Sequence, residues 1–99
     1  MEKSKREQKN AAPWTFLTNH SHVLLCLHAD RDMVLREVAE KVGITERAVQ
    51  KIVADLTKAG VLIRERVGRR NRYRLVGKAP LRHPIEGHRC VADILKLVK

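Results

Sequence analysis

The strongest constraint on the fold lies at the boundary formed by Val42, Gly43, Ile44, Thr45 and Glu46. On its N-terminal side, LREVAEKV (35–42) places Leu35, Val38, Ala39 and Val42 at helical spacing, which predicts an amphipathic helix of about two turns. Gly43 suits the left-handed position that ends a helix. Thr45 is a good N-cap for a second helix, and Glu46 adds a favourable negative charge at its start. Ile44 and Val49 occupy the two positions of a hydrophobic staple. Two helices therefore meet across a turn of about three residues.

The second helix is expected from about 46 to 59, ending at Gly60. Its inward face is Val49, Ile52, Val53 and Leu56; its outward face is Arg47, Gln50, Lys51, Ala54 and Lys58. After Gly60 the pattern changes from helical to alternating. VLIRERV (61–67) and RYRLV (72–76) read as strands with GRRN (68–71) as their turn. A connection of three or five residues would gather Arg64, Arg66, Arg72 and Arg74 on one face and Ile63, Val67, Tyr73 and Leu75 on the other. An even connection would mix the two sets, so an odd one is expected. Glu65 then falls on the apolar face without an evident reason.

Before the helix pair, WTFLTNHSHVLLCLHA (14–29) reads as a helix with Leu17, His20, Val23, Leu24 and Leu27 on its buried face. RDMV (31–34) has room only for a short strand. Residues 1–12 are polar and aperiodic and are expected to form a disordered basic arm ahead of a domain spanning 13–99. A last helix is expected over 88–98. Its apolar residues Cys90, Val91, Ile94, Leu95, Leu97 and Val98 form a stripe wider than a lone helix needs, and a second copy of the chain is the simplest cover.

The whole reads as mainly α with a small antiparallel sheet. It is a winged helix-turn-helix: a three-helix core, a β-hairpin wing and a C-terminal dimerisation helix. Charge agrees with a polyanionic partner. Lys and Arg number 21 against 11 Asp and Glu, a formal charge of +10. Residues 61–76 alone hold six Arg and one Glu. Trp14, Phe16 and Tyr73 are the whole aromatic complement, too few for a base-stacking platform. No apolar run approaches the roughly 18 residues that span a bilayer, so no membrane partner is expected. Two cysteines make no disulfide framework and suit a reduced, cytoplasmic protein.

The segment VLREVAEKVGITERAVQKIVADLTKAGVLIRERVGRRNRYRL resembles the DNA-binding core of MarR- and ArsR-type prokaryotic transcriptional regulators. The flanks WTFLTNH and LRHPIEGH resemble compact single-domain members of that superfamily. The resemblance implies dimeric binding to double-stranded DNA and no catalysis. Full MarR-type chains are longer and build an effector pocket with dimerisation helices at both ends, so whether this chain takes a small-molecule effector stays open.

Base-reading candidates are Thr45, Glu46, Arg47, Gln50 and Lys51. Arg pairs with guanine and Gln with adenine in the major groove. Candidates for the wing and the phosphates are Arg36, Arg64, Arg66, Arg69, Arg70, Asn71, Arg72 and Arg74. The bland alternatives are a solvated helix face and a charged hairpin that resists edge pairing. An RNA-binding or protein-interaction module is the competing class; the retained basic face disfavours purely protein binding, and competition between the two duplexes separates RNA from DNA. His22 and Cys26 lie four apart, with His20, His28, His83, His88 and Cys90 as further donors, so an ArsR-like metal or thiol sensor is a further alternative. No CxxC or HxxxH occurs and a closed site needs about four ligands, so no metal and no cofactor is expected. No phosphate loop, carboxylate pair or nucleophile with its base is present, so no enzyme is expected.

Overall fold

A computed structural model describes residues 13–98; the arm expected over 1–12 lies outside them. Helix α1 (Asn19–Ala29) is followed by α2 (Leu35–Val42) and α3 (Glu46–Lys58). Strands β1 (Leu62–Val67) and β2 (Arg70–Leu75) form an antiparallel hairpin. A single 3-10 turn (Pro84–Glu86) and a short helix α4 (Val91–Leu95) complete the described residues. This is a winged helix, mainly helical with a two-stranded sheet.

Local chemistry fixes the α2–α3 corner. Gly43 sits at φ 89°, ψ 33°, the left-handed conformation that terminates α2 at little cost only for glycine. Thr45 then caps α3, its hydroxyl accepting from the Ala48 N–H at 3.0 Å. Val49, Ile52, Val53 and Leu56 turn inward and meet Val23, Leu24 and Leu27 of α1 and Val38 and Ala39 of α2. Val61, Leu62, Tyr73 and Val91 close this core, which holds no buried polar side chain among the described residues.

Helix α1 begins at Asn19, five residues later than its apolar spacing suggested, because Thr18 caps it by accepting from the Ser21 N–H at 3.3 Å. Trp14 and Phe16 precede the helix and stay exposed, stacked edge to face with ring centroids 4.8 Å apart. His20 is exposed rather than on the buried face, and its Nε2 meets the Asp55 carboxylate at 3.0 Å. Arg31 and Asp32 lie in a turn and Met33 and Val34 outside any strand. A backbone bond from the Tyr73 N–H to the Arg31 carbonyl at 3.4 Å ties this segment to β2.

The hairpin corrects the expected register. Val67 pairs with Arg70, so only Gly68 and Arg69 form the connection. Gly68 has φ 66° while Arg69 does not have positive φ, the φ pattern of a type II′ turn, whose twist matches that of the strands. With an even connection the two residue sets mix. Leu62, Arg64 and Arg66 share a face with Leu75, Tyr73 and Asn71, while Ile63, Glu65 and Val67 share one with Arg74, Arg72 and Arg70. Glu65 thereby gains its reason. It lies opposite Arg72 and accepts from Arg74 Nε at 3.1 Å, so a carboxylate separates like charges across the ribbon.

The C-terminal helix is also corrected, to Val91–Leu95 in place of 88–98. Residues 89–91 are held extended against 79–81, through Leu81 N–H to the Arg89 carbonyl and Val91 N–H to the Ala79 carbonyl, each 2.9 Å. A backbone committed to that bridge cannot begin a helix. The first turn starts at Cys90, whose N–H donates to Asp93 Oδ2 at 2.9 Å. That bond holds the Asp93 carboxyl below its usual pKa of 3.8. Val91 is buried in the core of this single chain and Leu95 packs on the same core, whereas Leu97 and Val98 are exposed.

Candidate nucleic-acid interface

Helix α3 is exposed along Arg47, Gln50, Lys51, Ala54 and Lys58. Neither Arg47 nor Lys51 makes a salt bridge with a described residue. Such a face has its long polar side chains available for a partner. Thr45 stands at the head of the helix with its hydroxyl oxygen engaged in the cap. Glu46 follows in the first turn, where the helix dipole favours a carboxylate.

A groove of about 340 Å³ opens between this end of α3 and the wing. It is lined by Glu46 of α3, by Arg69, Arg70, Asn71 and Tyr73 of the hairpin, and by Asp32 and Met33 of the loop before α2. The fold thus brings one base-reading candidate beside three wing candidates that lie more than twenty positions away in the chain. Arg36 is exposed in the first turn of α2.

The wing arginines divide into two groups. Arg64, Arg69 and Arg70 are exposed and make no salt bridge with a described residue. Arg66 turns back on the hairpin, its Nε donating to the Gly68 carbonyl at 3.4 Å. Arg74 is tied to Glu65. Arg72 grips Asp32 with a fork, Nε to Oδ1 at 3.0 Å and Nη2 to Oδ2 at 3.4 Å. The Arg72 hydrogen bond holds the Asp32 carboxyl below its usual range, and the same bond raises Arg72. Asp32 lay outside the candidates from sequence because its partner is forty positions away.

Elsewhere, His22 Nδ1 meets Asn19 Oδ1 at 3.1 Å. No group of three His, Cys, Asp or Glu comes together among the described residues. No helix among them is long and apolar enough to cross a membrane.

Residues 17–63 match the family model of winged helix-turn-helix DNA-binding domains. The match runs from just before α1 into β1, covering all three core helices. It supports a DNA-binding winged helix. No curated protein and no solved structure matches the chain.

Proposed function

We propose that this winged-helix chain is a sequence-specific transcriptional regulator, related to the MarR and ArsR types, that binds double-stranded DNA as a homodimer. It is a cytoplasmic protein that acts by binding and not by catalysis. Helix α3 enters the major groove, where base edges carry distinct donor and acceptor patterns. Arg47, Gln50 and Lys51 read bases there, with Glu46 and Thr45 at the helix head. Arg69, Arg70 and Asn71 at the wing tip reach the neighbouring minor groove or phosphates, and Arg36, Arg64 and Arg66 add phosphate contacts. The observation that supports this reading is the groove lined jointly by Glu46 of α3 and by Arg69, Arg70 and Asn71 of the hairpin.

The homodimer is proposed from the exposed Leu97 and Val98 with the half-buried Cys90 and Ile94 beside them. A two-fold dimer reads a palindrome with half-sites about one helical turn apart. Selection of bound sites from a random duplex library at two salt concentrations tests the reading. A palindromic motif is expected. Binding without a motif, fading as salt rises, would leave only a nonspecific coat on nucleic acid. Sedimentation at the mass of one chain, 11.4 kDa, would remove the dimer.

A further inference from the structure

A helix in one groove and a hairpin beside it engage a single duplex only if the angle between them fits the DNA. The hairpin's base is secured by Leu62 and Tyr73 in the core. Beyond them the ribbon is mostly exposed, and an isolated two-stranded ribbon is marginally stable. One loop reaches out from the helical body to β2. In it the Asp32 N–H donates to Asp30 Oδ1 at 3.0 Å and the Met33 N–H to the Asp30 carbonyl at 3.1 Å. This turn presents the Asp32 carboxylate to Arg72, while the Arg31 carbonyl accepts from the Tyr73 N–H next door. Asp32 also lines the groove that holds Glu46, Arg69 and Arg70.

We infer that Asp32 and Arg72 form a clamp that sets the angle of the wing to α3, which makes both of them positioning residues for duplex recognition. The inference rests on the nucleic-acid reading above. A planar guanidinium forked onto a carboxylate fixes direction as well as distance, which a lysine ammonium does not. With Nε and one Nη2 hydrogen of Arg72 on Asp32, a phosphate could be met only through Nη1 and the second Nη2 hydrogen, on the side of the fork turned away from Asp32.

The two roles give opposite outcomes for one substitution. Asp32→Asn removes a negative charge beside the groove and releases Arg72. If Arg72 is a phosphate contact, every duplex is then bound more tightly and in equal proportion. If the pair is a clamp, a scrambled duplex is bound as well as before or better, while the selected duplex loses affinity.

The test uses the full chain as wild type, Asp32→Asn, Arg72→Lys and the double exchange Asp32→Arg with Arg72→Asp. Affinities are measured for the duplex recovered by library selection and for a scrambled duplex of equal length. Residual dipolar couplings of the β1 and β2 amides against those of α3 are recorded without DNA. Asp32→Asn is expected to lower the ratio of the two affinities about tenfold, the scale of one lost contact. Arg72→Lys lowers it although the charge is kept, and the exchange recovers most of it. Melting temperatures stay close to wild type, because partly exposed ion pairs contribute little to folding. The couplings report a reoriented or averaged hairpin in both single variants and a restored one in the exchange. An unchanged affinity ratio, or couplings that do not move, overturns the clamp. A wild-type chain that binds neither duplex overturns the nucleic-acid reading instead, and the couplings still decide whether the pair holds the hairpin.

Discussion

Substituting Arg69 and Arg74 separates the geometry of the wing from its net charge. Each change to alanine removes one positive charge from the same hairpin. Arg69 sits in the two-residue connection, exposed and without a salt bridge to a described residue, so it is free to displace a counterion from a phosphate. Arg74 already faces the Glu65 carboxylate at 3.1 Å and has little charge left to offer. The salt dependence of duplex binding resolves the two. Each phosphate neutralised contributes about 0.9 to the slope of log affinity against log salt, so a homodimer losing two contacts flattens by about 1.8. Between roughly 50 and 200 mM salt, that slope change shrinks the deficit of Arg69→Ala relative to wild type by about twelvefold. Arg74→Ala is expected to keep nearly the wild-type slope. Fluorescence anisotropy titrations of the selected duplex at five salt concentrations would measure it. Equal flattening in both variants would mean instead that the Glu65 pair opens on DNA or that only net charge matters.

Three further outcomes follow from the fold. Thr45→Ala removes the α3 cap and should cost about 1 kcal/mol, a melting shift of about 4–8 °C in calorimetry; no shift would deny the cap. Gly68→Ala meets no neighbouring atom but forces a φ of 66° on an L residue, which should cost about 1–2 kcal/mol in urea unfolding; a neutral result would place the turn elsewhere. Asp32, Asp55 and Asp93 are held below 3.8 by hydrogen bonds from Arg72, His20 and the Cys90 N–H respectively. A depressed carboxylate contributes stability above its unfolded pKa and loses it as pH falls through its folded pKa. Melting temperature should therefore hold above about pH 5 and fall through and below 3.8, less steeply in Asp93→Asn; a rise on acidification would contradict these assignments.

How much of this was legible in the sequence depends on how local each determinant is. Helix α2 and the start of α3 fall where Gly43 and Thr45 place them, because a left-handed terminator and a side-chain cap act within a few residues. Thr18 caps α1 in the same local way, but the apolar spacing of 14–29 does not register a cap and carries the expected helix back to Trp14. In the hairpin, the segregation of arginines from apolar residues suggested an odd connection. The Gly68-Arg69 turn set an even one, and Glu65 made the mixed faces tolerable. The last helix was shortened by a bridge between 79–81 and 89–91, a pairing that periodicity does not encode. At the site, the exposed face of α3 follows from helical spacing alone. Which wing arginines are free does not, because the carboxylate that engages Arg72 lies forty positions away.

In the proposed function the α3 face and the wing tip together form the duplex-binding surface. Its most direct test is a titration of isotopically labelled chain with the selected duplex, followed by amide chemical shifts. Changes concentrated at Arg47–Lys51 and Gly68–Asn71 are the expected result. Changes centred on the cleft of His20, Lys58 and Arg82, with α3 and the wing tip unmoved, would contradict the account.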